Sequence, residues 1–236
     1  MPTLTVPGLF NVRDLGGHPT TDGGRTRTHS LVRADDLAQL GEAGWRALLA
    51  YGVRTVLDLR WPAERARYPS PVPAGLPGLR IEHVSLLTHS EEEWELRSRD
   101  VAKELWKCVV LERVRAELRR VLSVVAAADA GTLLFHCVAG KDRTGIVAAL
   151  LLALADAEPA AIARDYAQSG DNLRDEYLRR YPGADPARVL EALRCPEQGA
   201  YNMLKFLQNA GGVRAYLSAL GLSAAEIAAL RARLRD

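Results

Sequence analysis

The sequence predicts an α/β fold, in which short apolar strands alternate with helices. Residues 53–59, in which Val56, Leu57 and Leu59 are apolar, directly follow a helical pattern and a glycine, as expected for a helix followed by a strand. Residues 132–135 form an apolar run, which leads through a tight polar loop into the apolar stretch 146–154. The order strand, loop, buried helix is typical of α/β domains.

The composition is that of an ordinary globular chain, since 48% of the 236 residues are apolar and 25% are charged. No repeat or long linker divides it, so we expect one domain over residues 1–236. A net charge of +2 is too small to indicate a nucleic-acid partner. Residues 146–155 are too few to span a bilayer, and residues 1–10 show no signal peptide. We expect no stable membrane insertion and a cytoplasmic location by default, with export without a visible signal left open.

The three cysteines stand at positions 108, 137 and 195. They form no C-x-x-C pair and their number is odd, so neither a disulfide framework nor a zinc site is indicated. Cys108 and Cys195 fit the role of small buried side chains. No metal and no cofactor are expected.

Residues 1–34 read as extended chain and turns, with a hairpin at Asp22-Gly23 and a short strand at 30–33. The polar residues Asn11, Arg13 and Asp14 precede a glycine pair. A hydrogen-bonded turn explains them better than direct catalysis does. Arg33 is either a surface cation or a member of the same polar network.

A helix over 42–51 with Gly52 as its cap leads into the strand 53–59. This strand ends in Asp58-Leu59-Arg60. Charged residues at a strand end are either site residues of an open α/β fold or an ion pair tying the strand to the next helix. The two interpretations of Asp58 and Arg60 carry equal weight. A helix over 63–68 and a strand over 80–86 follow.

Residues 88–128 carry a helical pattern in two or more pieces. The segment 88–110 is either an ordinary packing helix or a mobile cover whose underside contains Trp94 and Trp106. Proline, glycine and capping signals then predict further helices. They span 143–155, 159–169, 171–181, 186–194, 196–210 and 213–220, with a last one after Ser223.

The loop after the apolar run 132–135 contains the candidate catalytic residues. Cys137 and Arg143 are separated by five residues, which matches the C-x5-R loop that cradles a phosphate. Amides at a helix start attract an anion, Gly140 allows a close approach, and Arg143 can bind two phosphate oxygens. This positive field favours the thiolate of Cys137, a nucleophile for phosphorus. The phosphate-binding residues are then Val138, Ala139, Gly140, Lys141, Asp142 and Arg143.

Two other interpretations of this loop are weaker. A P-loop NTPase is excluded, because Asp142 stands where that motif requires Ser or Thr. A buried structural Cys137 is disfavoured by the Gly, Lys, Asp, Arg, Thr and Gly residues that follow it at fitting offsets.

Several segments together resemble the bacterial, atypical branch of the Cys-based protein-tyrosine phosphatases. The most specific is His-Cys-x-x-Gly-Lys-Asp-Arg-Thr-Gly at 136–145, and the others are 10–17, 31–34, 56–60 with Glu64, 211–223 and 230–231. The resemblance covers nearly the whole chain. It implies a central, mostly parallel sheet flanked by helices, the loop at its carboxyl edge, a helical lid and a helical C-terminal part.

The same resemblance implies a phosphocysteine mechanism in which Asp142 is the general acid. It also implies dual specificity, with phosphotyrosine, phosphoserine or phosphothreonine proteins as substrates, and Lys141 is associated with phosphoinositides. Because Lys141 and Arg143 flank Asp142 and favour its charged form, Asp58 is a second candidate for the acid. His136, Thr144, Arg60 and Arg13 are expected to support the loop.

Three alternatives stay open at this point. The first is that the chain is primarily a phosphoinositide phosphatase, the second that it is a phosphate-binding module without turnover, and the third that it is a rhodanese-like sulfurtransferase. The Asp-Arg-Thr-Gly run argues against the last. The sequence does not indicate the oligomeric state.

Overall fold

The computed structural model describes residues 4–70, 72, 78–87, 108 and 110–235. A five-stranded sheet in the order β1-β2-β5-β3-β4 lies at its centre. The strands are β1 (Arg13–Asp14), β2 (Leu31–Ala34), β3 (Val53–Asp58), β4 (Arg80–His83) and β5 (Thr132–His136). Only β1, at the edge of this sheet, pairs antiparallel with its neighbour. The predicted α/β fold with a mostly parallel sheet is thereby confirmed.

Helices pack on both faces of the sheet. They are α1 (Glu42–Tyr51), α2 (Pro62–Arg67), α3 (Arg115–Ala127), α4 (Asp142–Leu154), α5 (Pro159–Arg180), α6 (Pro186–Leu193), α7 (Glu197–Asn209), α8 (Val213–Ala219) and α9 (Ala224–Leu234). The end signals in the sequence are confirmed at two of them. Gly52 closes α1 in the left-handed conformation at φ 104°, and Ser223 with Glu226 forms the capping box of α9.

The prediction of two helices over 159–169 and 171–181 is wrong, because α5 runs unbroken through both. Gly170 lies between the two predicted helices and inside the observed one. An added Cβ at Gly170 would lie 3.0 Å from the carbonyl oxygen of Leu193, the last residue of α6. The glycine therefore permits close packing of helix on chain, and its helix-propensity cost of about 1 kcal/mol is offset by that packing.

The predicted strand over 80–86 is shorter in the structure and ends at His83. The chain beyond it still follows the end of β3, since the amides of Val84 and Leu86 donate to the carbonyls of Asp58 and Leu59. The predicted cover over 88–110 lies outside the described residues, except for positions 108 and 110, and it stays a prediction.

The two faces of the sheet bury different side chains of β5. Leu133 and Phe135 belong to the core that contains α4, whereas Leu134 packs with Trp45 and Leu48 of α1. This alternation follows from the period of two along a strand. Helix α4 is buried nearly all round, as its apolar sequence predicts.

The register brings three strand ends to one edge. Ala34 of β2 and Asp58 of β3 are both paired with His136 of β5. Cys137, the residue after β5, therefore lies between the ends of β2 and β3. No helix in the described part of the chain is long and apolar enough to cross a membrane.

Leu48 and Leu49 offer a matched test of this core. Leu48 is fully buried beneath the sheet, whereas Leu49 is half-buried. Leu48→Ala should lower the free energy of unfolding by about 2–5 kcal/mol. Leu49→Ala changes the same helix in the same way and should cost about 1 kcal/mol. Urea unfolding measures both, and equal losses would contradict the packing described here.

Candidate active site

The loop from Cys137 to Lys141 joins β5 to α4 and rests on the end of β2. Gly140 has φ +62°, and a Cβ there would lie 2.4 Å from the carbonyl oxygen of Ala34. Any other residue would clash with backbone that has little room to move. Glycine at this position lets the loop close onto the sheet edge.

The carbonyls of the loop are held by donors in the body of the protein. Those of Val138, Ala139, Gly140 and Lys141 accept from Asp36 N (2.9 Å), Asn11 Nδ2 (2.9 Å), Arg33 Nη2 (2.7 Å) and Gly145 N (2.8 Å), respectively. In a planar trans peptide the N–H points away from the preceding C=O. The amides of residues 139–142 therefore face the opposite side, at the N-terminus of α4. This arrangement forms an anion cradle.

Behind the loop lies a buried ionic network centred on Asp165 of α5. One carboxylate oxygen accepts from Arg13 Nε at 2.7 Å, and the other accepts from Arg33. Arg33 is fully buried and belongs to the network, so it is not a surface cation. Arg13 also donates to Ser169 and to Asn11. The side chain of Asn11 is thereby oriented toward the loop carbonyls.

The electrostatics of this network favour its charged state. Burial raises the pKa of Asp165, but the charges of Arg13 and Arg33 outweigh burial and hold that pKa well below its usual range. Burial and the nearby Arg33 lower the pKa of Arg13 to about 10, which still leaves it charged at neutral pH. The carboxylate between two guanidinium groups thus fixes both cations behind the loop.

Arg143, on the first turn of α4, is held in plane by Glu64 of α2. Its two terminal nitrogens donate to the two oxygens of Glu64 at 2.5 and 2.7 Å, and the guanidinium lies 4.8 Å from the ring centre of Trp61. Of the five N–H donors of a guanidinium, this pair leaves three for another ligand. Burial opposes the charge of Arg143, but Glu64 and Cys137 raise its pKa.

Cys137 is 3% exposed at the base of the loop. It lies within electrostatic reach of Lys141 and Arg143, because it contributes to the pKa of each. Thr144, one residue beyond Arg143, has a buried hydroxyl that finds no hydrogen-bond partner among the residues that the structure describes. An unpaired buried hydroxyl is costly, so this group is available to a ligand or to the thiolate.

Asp142 occupies the first position of α4, where its side chain interacts with Tyr166 and Lys141. Its Oδ1 accepts from the hydroxyl of Tyr166 at 3.2 Å, and its Oδ2 lies 3.1 Å from Lys141 Nζ. Lys141 also donates to the carbonyl of Ala192 at the end of α6. The ammonium group is therefore turned toward α6 and Asp142 in this structure. Asp142 keeps a side chain that is 38% exposed.

Asp58, the second candidate acid, has a different environment. Both of its oxygens accept from Arg60, and Arg65 Nε lies 3.2 Å from Oδ2. Burial raises the pKa of Asp58, but the hydrogen bonds from Arg60 and the charge of His136 outweigh burial and lower the pKa to about 2. Asp58 thus orients Arg60, which in turn donates to the carbonyl of Tyr68.

His136 lies beneath the loop with Nε2 at 3.8 Å from Asp58. Burial lowers the pKa of His136 to about 4, and Asp58 offsets this only in part. The ring is therefore neutral at pH 7. Its Nδ1 lies 3.1 Å from the carbonyl oxygen of Cys137, a contact that fixes the start of the loop.

Sequence reasoning missed the residues of α5 and did not assign a role to Glu64. Asp165 and Ser169 stand four residues apart on a face that also buries Ala161 and Ile162. Paired polar residues on an apolar helix face were the available signal. Tyr166, next to Asp165, could not be connected to Asp142 without the fold.

The assembled site can bind a tetrahedral anion and present a nucleophile to it. Positive charge comes from Arg143, from the amides of the loop and from the start of α4. Over the described ranges, no three His, Cys, Asp or Glu side chains are grouped as metal ligands. The thiol, the cradle and a nearby carboxyl are the components of a phosphoryl-transfer site.

The carboxylate of Asp35 ties the N-terminal segment to this site. It accepts from the amides of Phe10 and Asn11 at 3.0–3.2 Å. Burial raises the pKa of Asp35 from 3.8 to about 6. The folded chain therefore keeps the Asp35 carboxyl group protonated at pH values where the unfolded chain has released that proton. The stabilising contribution is present below about pH 4 and is lost as the pH rises through 6.

Asp35→Asn removes this titration while keeping a side-chain carbonyl acceptor. The free energy of unfolding of the wild type, minus that of Asp35→Asn, should fall by roughly 2 kcal/mol between about pH 4 and pH 7. Urea unfolding of both proteins across this range measures it, and the remaining titrating groups cancel in the difference. A difference that does not change with pH would contradict the assignment.

Comparison with known proteins places these features in context. A "Tyrosine-protein phosphatase" of Nostoc commune is 32% identical over 221 residues, which cover 87% of this chain and 74% of that protein. The "Triple specificity protein phosphatase PtpB" of Mycobacterium tuberculosis is 28% identical over an alignment of 256 residues, which covers 93% of this chain and 87% of that protein.

Among solved structures, TpbA of P. aeruginosa aligns with a TM-score of 0.32 and 23% sequence identity, over 70% of this chain and 86% of that one. The sequence pattern described as "Tyrosine phosphatase family" matches residues 4–236, nearly the full length. With that match and with a relative above 30% identity, this chain belongs to the tyrosine phosphatase family.

Proposed function

We propose that this protein hydrolyses phosphotyrosine in proteins, and phosphoserine or phosphothreonine as well, through a phosphocysteine intermediate. The observation that carries the proposal is that four loop carbonyls accept hydrogen bonds on the protein side, which leaves the amides of 139–142 facing the opposite side, where they can bind an anion. The relative named a triple specificity phosphatase supports the broader substrate range.

In the first step, the phosphate dianion binds the loop amides and the free donors of Arg143. The Cys137 thiolate attacks phosphorus, so that an S–P bond forms as the P–O bond to the leaving group breaks. Asp142 gives its proton to the departing oxygen. Glu64 keeps the guanidinium of Arg143 in the plane that this transfer requires.

In the second step, water attacks the phosphocysteine on the side that the leaving group has vacated. Asp142, now a carboxylate, takes a proton from this water, and the S–P bond breaks to return the thiolate. The released product is inorganic phosphate. The unpaired hydroxyl of Thr144 is a suitable donor to the returning thiolate.

The two carboxyl groups differ in their fitness as the acid. Asp58 has a pKa of about 2 and both oxygens engaged, so it holds no proton to give at neutral pH. Asp142 has one oxygen toward the Tyr166 hydroxyl and a partly exposed side chain. A bound dianion nearby favours the protonated form of Asp142. We therefore assign the acid to Asp142, with Asp58, Arg60, Arg13 and neutral His136 as supporting residues.

A substrate panel in EDTA tests the proposal. Phosphotyrosine, phosphoserine and phosphothreonine peptides should be hydrolysed at the same rate with and without EDTA, with phosphoinositides as a separate arm. Cys137→Ser should lose more than about 10³-fold in kcat, because a hydroxyl is a far weaker nucleophile than a thiolate at neutral pH.

Each contrary outcome identifies an alternative. Phosphate release that survives in Cys137→Ser, or that stops in EDTA, refutes the metal-free thiolate mechanism. No release from any ester, with retained binding of phosphate, indicates a binding module without turnover. Turnover of thiosulfate would indicate a sulfurtransferase, and turnover confined to phosphoinositides a lipid phosphatase.

The assignment of the acid predicts a leaving-group effect. Asp142→Asn should lower kcat/KM, which reports the first step, by about 10²–10⁴-fold for aryl phosphates with poor leaving groups and much less for those with good ones, because only the former need a proton in that step. Asp58→Asn serves as the comparison and should lower both equally. Burst kinetics with a graded series of phenols measures this, and a steep leaving-group dependence in Asp58→Asn alone would reverse the assignment.

A further inference from the structure

An open cleft of about 630 Å³ lies between the loop and the end of α5. Its described lining includes Val138 of the loop, Tyr68 after α2, and Tyr177, Arg179, Arg180 and Tyr181 at the end of α5. The mechanism above uses none of the α5 residues. The cleft is nevertheless continuous with the cradle through Val138.

Aromatic side chains form much of its walls. Tyr68 and Tyr181 are 43% and 50% exposed, so their rings are accessible to a ligand in the cleft. The rings of Tyr177 and Tyr181 lie 5.9 Å apart in a tilted arrangement. Burial is the main reason that the pKa of Tyr177 is raised, but Cys137 also contributes. Val138, the residue after Cys137, lines the same cleft, so the cleft begins beside the nucleophile.

The charges at the rim do not balance. Glu176 is buried and pairs with both Arg179, at 2.6 Å, and Arg180, at 3.1 Å. One carboxylate thus serves two guanidinium groups and leaves one positive charge in excess. Arg179 donates from Nε and Nη2 to one oxygen of Glu176 and is 73% exposed, whereas Arg180 is 37% exposed and lies 5.7 Å from the ring of Tyr177.

On the opposite wall, Asp36 is the acidic residue of the lining, and its charge is already matched. It pairs with Arg60 at 2.9 Å, and Arg60 with Arg65 balances Asp36 and Asp58. The excess positive charge therefore belongs to the α5 side of the cleft. An anionic group would gain from binding there.

Resting on the proposed function, we infer that this cleft binds the peptide segment beside the phosphorylated residue, and that Arg179 with Arg180 selects an acidic side chain in that segment. Tyrosine-lined walls suit the mixed apolar and polar surface of a peptide. A polyphosphorylated headgroup would instead require several unshared cations, whereas these two arginines share Glu176. The structure thus favours a peptide over a lipid headgroup.

The test compares phosphotyrosine peptides that differ in one flanking residue, Asp, Ala or Lys, on each side of the phosphorylated tyrosine. The wild type should show kcat/KM about five-fold higher for Asp than for Ala, and lower for Lys, in line with the strength of a partly exposed ion pair. Arg179→Ala should remove most of this preference, and Arg179→Glu should invert it toward Lys.

Arg179 is the residue to change, because Arg180 then remains to neutralise the buried Glu176. Arg188→Ala on α6 is the matched control, since Arg188 is exposed and does not line the cleft. It should keep the wild-type preference. Each peptide rate is divided by the rate of the same variant with p-nitrophenyl phosphate, and thermal unfolding confirms that each variant is folded.

The outcomes separate the two proposals. If the wild type does not hydrolyse p-nitrophenyl phosphate, the proposed function fails, and binding of the same peptides to Cys137→Ser still tests the cleft. Equal rates for Asp and Lys peptides beside normal p-nitrophenyl phosphate hydrolysis would overturn the inference alone. So would a preference that persists in Arg179→Ala, or an Arg179→Ala defect confined to phosphoinositides.

Discussion

The cradle depends on one buried interaction, the carboxylate of Asp165 between Arg13 and Arg33. Arg33 holds the carbonyl of Gly140, and Arg13 orients Asn11, which holds the carbonyl of Ala139. Without the carboxylate, two guanidinium groups would face each other in the interior, and breaking a buried pair in this way costs about 3–5 kcal/mol. The orientation of the loop amides is therefore determined behind the site, by residues that no substrate contacts.

Three carboxyl groups near the loop have different roles, because their surroundings differ. Asp58 is saturated with guanidinium donors and serves as a fixed charge. Glu64 aligns Arg143. Asp142 alone of the three accepts from a neutral phenol, lies beside Lys141 and keeps a partly exposed side chain, so a bound phosphate dianion can favour its protonated form. Their positions at neighbouring strand and helix ends follow from the register of β2, β3 and β5.

The sequence was sufficient for the features that local pattern determines. The strand-loop-helix order, the burial of α4, the closure of α1 at Gly52 and the spacing from Cys137 to Arg143 all follow from short-range rules. It was insufficient where distant segments meet. The continuous course of α5 through Gly170 was not predicted, because the packing of Gly170 against Leu193 is not visible in the sequence, and Asp165 lies more than 130 positions from both of its arginine partners. Such contacts depend on tertiary packing, which overrides local propensity.

The seating of Gly140 on the carbonyl of Ala34 has a thermodynamic consequence. A loop held this closely from behind is already in its binding shape, so little conformational entropy is lost when an anion arrives. A rigid cradle of this kind recognises the PO₃ group as such, and that group is shared by every ester and by the released product. Selectivity among substrates must then come from residues outside the cradle, whose identity is less constrained by phosphate binding.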